Sequence, residues 1–236
     1  MTIKLNYLKK TSSKLSTNLV LFCNEKFSIS TLKKYLINTE FTYINDLLKK
    51  FDLKKNLFIF EVNSKKKIVL VSIKNNLKNS DVENLGAEFY KIVNHGKNSE
   101  YLIISDSIVG EHDNFLGHFL HGIKLKSYEF KKYKTKKNTR LISINITGNK
   151  NKPSVQSQIK FKALEEGTFF ARDLVSEPGN ILHPDEYAKR LNSLKKDGLK
   201  VNIYDEKKLK KLGMHALLGV GQGSVRGSYL VTLEWN

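Results

Sequence analysis

The sequence of 236 residues holds one cysteine, three prolines and one tryptophan. A lone thiol, Cys23, excludes an internal disulfide and any cysteine-based zinc site. No apolar run approaches the roughly 18 to 20 residues that a membrane span requires. The start, Met1 to Lys10, alternates polar and apolar residues and lacks the apolar stretch and small-residue cleavage site of a signal peptide. These absences lead to the expectation of a soluble protein of a reducing compartment. Arginine is also scarce. The formal net charge is +18, yet only Arg140, Arg172, Arg190 and Arg226 among 41 basic residues are arginines. A phosphate-reading face recruits the planar guanidinium fork. The excess lysine therefore reads as a solvated surface, with salt-sensitive, non-specific nucleic-acid binding as the alternative.

What is present is 40% hydrophobic residues, enough to bury a real core. Thr17–Cys23, Asn56–Val62, Lys67–Ile73, Tyr101–Ser107 and Thr139–Ile146 are short, strand-like apolar runs. Between them, Ser80–Gly96 reads as a helix. Ser80 and Glu83 are spaced as a capping box, Val82, Leu85, Phe89 and Val93 share one face, and Gly96 stands at the stop. Asn114–Leu125 reads as a second helix, with Phe115, Phe119 and Ile123 on one side. This alternation argues for an α/β domain with a mixed sheet and flanking helices. The polar stretch Thr147–Ser154 closes it, giving an expected first domain over 1–150.

A long helix is expected over Val155–Ser176, which makes 151–176 a linker, with Ile159, Ala163, Phe170, Leu174 and Val175 in its apolar stripe. Pro178 ends it, because a residue before proline avoids the helical region. Pro184 opens the next helix, with Asp185 and Glu186 in its first turn and Tyr187, Leu191 and Leu194 on its buried face. Gly198 stops that helix, Leu199–Tyr204 is a strand, Asp205 caps a helix that ends at Gly213, and Tyr229–Trp235 is a last strand. Residues 177–236 are accordingly expected to be the start of an incomplete α/β domain that halts in mid-sheet.

Several motifs invite a chemical reading. "GVGQGS" (Gly219–Ser224) resembles a phosphate loop, but Ser224 stands where a dinucleotide fingerprint has glycine and no Gly-Lys-Ser/Thr follows. It is read as a turn whose glycines permit close backbone approach. His118 and His121, with His112 nearby, are spaced so that they could share a metal. Without a partner set such as H-E-x-x-H, ordinary half-buried histidines are the preferred reading. Cys23, in an apolar strand, is expected to be an inert thiol. Lys131–Lys137, with Tyr128, Phe130 and Tyr133 interleaved, is read as a lysine-guarded edge strand, with nucleic-acid stacking as the alternative. No Gly-x-Ser-x-Gly elbow supports a serine hydrolase.

Three stretches together resemble the leucyl (cytosol) aminopeptidase family. They are "GIKLKSYEFKKYKTKK" (Gly122–Lys137), "ARDLVSEPGNILHPDEYA" (Ala171–Ala188) and "LKKLGMHALLGVGQGS" (Leu209–Ser224), with weaker support from "LGAEFYKI" (Leu85–Ile92). Ser176 and His215 depart from the family's usual Asn and Gly. The resemblance implies a macro-domain-like N-terminal domain, a linker helix and an α/β peptidase domain that removes N-terminal residues from peptides. A macro-like domain also raises an ADP-ribose pocket, although no glycine-rich phosphate loop precedes Val155. The resemblance further implies a cytoplasmic homo-hexamer and two divalent metals, manganese or zinc, held by a lysine, three aspartates and a glutamate. Those ligands lie in K-x-x-x-F-D-T-G-G and N-T-D-A-E-G-R regions, and neither motif occurs in these 236 residues. No catalytic, metal or cofactor residue is therefore carried over, and the chain alone is expected to be inactive and to bind no cofactor.

Overall fold

The computed structural model describes residues 2–8, 18–94, 99–110, 112–135 and 140–235. The chain forms two compact units, residues 1–169 and 170–236. In the first, strands β1 (Thr2–Tyr7) and β2 (Asn18–Asn24) precede helix α1 (Asn38–Leu48). The hairpin β3 (Leu57–Asn63) and β4 (Lys66–Ile73), helix α2 (Asn79–Val93), strand β5 (Ser99–Ile104), helix α3 (Phe115–Lys126) and strand β6 (Leu141–Thr147) follow. Helix α4 (Val155–Ser176) runs across the boundary between the units. The six strands make one mixed sheet in the order β1-β6-β5-β2-β4-β3, parallel except for β3 against β4.

The apolar runs are explained by burial of both sheet faces. On β2, Leu19, Leu21 and Cys23 join the core beneath α1, together with Ile44, Leu48 and Leu70. Val20 and Phe22 point the other way, into the larger core shared with α2 and α3. There the Phe22 ring meets Phe115 and Phe119 edge-on, at 5.5 and 5.4 Å between centroids. The faces expected of the two helices are the buried ones: Val82, Leu85, Phe89 and Val93 on α2, and Phe115, Phe119 and Ile123 on α3.

Two elements have weaker sequence signals. Strand β1 adds to the sheet edge beside β6, where Asn6 donates to Ser143 and Asn145. Helix α1 begins where the Glu40 side chain turns back to accept from the Ile37 N–H. The same carboxylate accepts from Lys66 at 2.7 Å in a nearly buried ion pair.

Helices α2 and α3 approach more closely than ordinary side chains permit. A Cβ on Gly86 would overlap the Phe119 backbone carbonyl, and one on Gly122 would overlap the carbonyl of Glu83. The expected cap at Ser80 shifts by two positions. It is the Lys78 N–H that donates to Asp81, at 2.9 Å. This frees Glu83, whose Oε1 accepts from the Nδ1 of His118 at 3.0 Å and of His121 at 3.1 Å. A carboxylate only accepts, so both Nδ1 atoms carry the hydrogen. Phe161 of α4 covers both imidazoles, with centroids at 4.9 and 5.1 Å.

That contact also corrects the stripe expected of α4. Ile159 is 64% and Val175 87% exposed, and Phe161 is the buried residue of the helix. The helix packs through the side that meets α3, not along the full apolar row. The expected stop at Gly96 lies outside the described residues. Residues 128–135 are not a strand but an irregular segment, in which Lys131 pairs with Glu129 and the Phe130 and Tyr133 rings meet at 5.8 Å. Lys136 and Lys137 lie outside the described residues.

The second unit contains α5 (Pro184–Asn192), β7 (Lys200–Tyr204), α6 (Glu206–Lys211), α7 (His215–Gly221) and β8 (Leu230–Glu234), with β7 and β8 antiparallel. Pro184 is at the start of α5 as expected, and the Asp205 side chain accepts from the Lys208 N–H to cap α6. Gly198 and Gly213 adopt left-handed backbone, φ +93° and +71°, at the expected stops. The buried residue of α5 is Ala188, whereas Tyr187 is exposed.

Two predictions test this packing. Gly86→Ala should lower stability by about 2 kcal/mol or more through overpacking, while Gly167→Ala, in open space on α4, should raise it by up to about 1 kcal/mol through helix propensity. Urea unfolding followed by circular dichroism checks both signs. The second concerns Glu83. Burial pushes its carboxyl up, but the hydrogen bonds from His118 and His121 outweigh this and hold it below the usual carboxylate range. A depressed carboxylate stabilises above its unfolded pKa and loses that contribution as pH falls. Glu83→Gln should therefore cost about 1 kcal/mol at pH 7. The gap to the parent should close as pH drops below 4.5, as read from unfolding midpoints across pH.

Candidate functional site

The connector between α4 and α5 is the most tightly determined irregular segment that the sequence singles out. Helix α4 closes with Glu177 N–H on the Asp173 carbonyl at 3.1 Å. Pro178 cannot continue the helix, and its own carbonyl accepts from the N–H groups of Ile181 and Leu182, both at 2.9 Å. The turn is thereby fixed by backbone alone.

Side chains then lock it. The Glu177 carboxylate is 1% exposed and receives Arg190 Nη1 at 3.0 Å. The same guanidinium gives Nε to Glu186 at 3.0 Å. This two-ended use needs the planar fork of arginine, which a lysine cannot reproduce. The hydrogen bonds that Arg190 donates to Glu186 and to Glu177 raise its pKa further, against an opposing effect of burial. Beside it, Asp185 meets His183 and lies 3.6 Å from Arg226. Burial pushes the Asp185 carboxyl up, yet His183 and Arg226 hold it below the ordinary range. Two of the four arginines are thus spent on this connector. Sequence reasoning missed Glu177 and Arg190, because a pair thirteen residues apart follows no helical spacing. The scarcity of arginine was the available signal.

The other motifs come out as follows. Gly219 and Gly221 lie in α7, not in a turn, and the turn follows at Gln222 and Gly223. Only Gly221 of these shows close approach, since a Cβ there would overlap Ser228 Oγ. His118 and His121 are joined through Glu83. His112 instead places its two ring nitrogens near the carbonyl oxygens of Asp113 and Leu77. Among the described residues no group of three or more His, Cys, Asp or Glu side chains is arranged to hold a metal. Cys23 is buried, its Sγ 3.7 Å from the Val71 carbonyl, and burial pushes the thiol up to about 12. It is the inert thiol expected. Among the described residues no helix is long and apolar enough to cross a membrane.

Comparison with known proteins meets this connector directly. Residues 169–236 match a family model described as the cytosol aminopeptidase family, catalytic domain. A probable cytosol aminopeptidase of Bradyrhizobium sp. is 44% identical over 119 residues, covering 49% of this chain and 24% of the relative. One from Dinoroseobacter shibae is 35% identical over 168 residues, covering 71% and 33%. The matched stretch thus spans a quarter to a third of these relatives' length. Among solved structures, a tomato leucine aminopeptidase mutant superposes with a TM-score of 0.73 at 19% identity, covering 98% of this chain and 50% of that one. The bottromycin maturation enzyme BotP in complex with Mn gives 0.69 at 16%, covering 94% and 45%. At such identities the structural likeness speaks for the fold, a mixed six-stranded sheet with flanking helices. The sequence matches tie this chain to the cytosol (leucyl) aminopeptidase family over the stretches they cover, residues 169–236 above all.

Proposed function

We propose that this chain is the N-terminal part of a leucyl aminopeptidase, an enzyme that hydrolyses N-terminal residues from peptides. In this reading residues 1–150 are a macro-like domain, 151–176 a linking helix and 177–236 the opening of the peptidase domain. The observation that carries it is a coincidence of boundaries: the catalytic-domain match begins at residue 169 and the second compact unit at residue 170. The exposed apolar side chains of that unit add support. Val220, Val225 and Trp235 stand in solvent, and the buried residues described there are Glu177, Ala188, Val201 and Leu209. Such a surface suits a unit meant to pack against more polypeptide.

In the complete enzyme, two divalent metals would activate a water and polarise the scissile carbonyl. The residues of this chain do not fit that role. The family's ligand motifs are absent from the sequence, and the Glu83–His118–His121 set directs both Nδ1 donors at its own carboxylate. The part played here is scaffolding. Arg190 clamps the carboxylates of Glu177 and Glu186, and the prolines fix the turn between α4 and α5. Peptide substrate, hexameric assembly and cytoplasmic location belong to the same proposal for the complete enzyme.

The purified 236-residue chain, given a leucine chromogenic substrate and manganese, should show no metal-dependent turnover above background. Turnover that manganese restores after chelation would overturn the assignment of the metal centre to other residues.

A further inference from the structure

A cavity of about 370 Å³ opens in the first unit between β1, α3 and α4, within the range of small-ligand sites. Ile3, Leu5, Leu120 and Phe161 supply apolar wall. Around them stand charges of both signs. Lys124 pairs with Glu165 at 3.2 Å, and Lys162 with Glu166 at 3.7 Å. The ring of His121 also borders the cavity. Its Nδ1 hydrogen is committed to Glu83, so in the neutral ring Nε2 bears a lone pair, and this buried atom has no partner among the described residues. Tyr7, also on the wall, is kept as a phenol, because burial pushes its pKa up to about 12.

We propose that this cavity binds a small zwitterion with an apolar side chain, the chemistry of an apolar α-amino acid. The apolar wall takes the side chain. An ammonium N–H is the group that an imidazole lone pair and the Glu165 and Glu166 carboxylates all accept. The carboxylate of the same molecule is received by Lys124 and Lys162, which the ammonium releases from their present partners. A simple anion would leave the glutamates opposed to it, and a simple cation the lysines. A zwitterion replaces both existing ion pairs at once, with no change in the net charge of the rim. The site lies within residues 1–169, and its assignment does not depend on the peptidase reading.

Isothermal titration of the full chain tests it with three probes that share one branched aliphatic body. Leucine should bind saturably. 4-Methylpentanoate, which lacks the ammonium, and 3-methylbutylamine, which lacks the carboxylate, should each bind about tenfold more weakly, the loss of one charge-assisted contact. Glu165→Gln should weaken leucine by a similar factor and tighten 4-methylpentanoate, because Lys124 loses its present partner and one opposing carboxylate is gone. Gln158→Trp, filling the mouth from α4, should abolish binding of both while the circular dichroism spectrum stays that of the parent. No saturable leucine binding, a carboxylate probe as tight as leucine, or leucine binding indifferent to Gln158→Trp would each overturn the proposal.

Discussion

The contact between α2 and α3 is the constraint on which the first unit turns. Gly86 and Gly122 let each helix backbone lie against the other's carbonyl groups. Such an approach cannot be relaxed by a rotamer change, because the obstructing atoms would be backbone. With the helices at that separation, Glu83 reaches two imidazoles on α3, and those rings form the platform on which Phe161 of α4 rests. The same pair of helices covers one face of the sheet through Phe89, Phe119 and Ile123. A side chain at either glycine would thus disturb the core, the polar triad and the seat of α4 together.

How much of this was legible in the sequence follows from how local each signal is. Strands β2 and β4 and helices α2, α3 and α4 were readable because burial on one or both sides imposes a dense or periodic apolar pattern. Strand β1 was not read as a strand although Ile3 and Leu5 alternate with Lys4 and Asn6, because what makes that short run a strand is its pairing with β6, more than a hundred residues away. Helix α1 was missed because its start depends on Glu40, whose other partner, Lys66, lies on a distant strand. The α4 stripe misled for the opposite reason. Its periodicity is real, but the partner that decides which face is buried is α3, and Phe161 meets it from outside that row. Glu83 offered two local roles, a capping residue and a tertiary acceptor. Asp81 took the cap and left Glu83 to the histidines.

The histidines of α3 show how spacing alone overstates chemistry. Three residues apart on a helix, they face the same way and could share a metal. What lies between them is a carboxylate from α2, so each ring gives its Nδ1 hydrogen to Glu83 and the pair becomes structural. The metal reading needed ligands converging from other elements, and no spacing within one helix can supply that information.

The connector shows the reverse, a site whose physics is clearer in three dimensions than its motif suggests. Its prolines were visible, and they do fix the turn. The pairing of Glu177 with Arg190 was not visible, yet a carboxylate that is 1% exposed requires a partner, because an unpaired buried charge is costly. Lysine is abundant in this chain and would satisfy charge alone. Arginine stands at position 190 because one guanidinium must reach Glu177 and Glu186 from two of its nitrogens. In a sequence so biased toward lysine, the arginine at 190 marks a place where geometry, and not charge, sets the requirement. Arg226, across from Asp185, lies in the same unit, so two of the four arginines pair with carboxylates of the segment that follows α4.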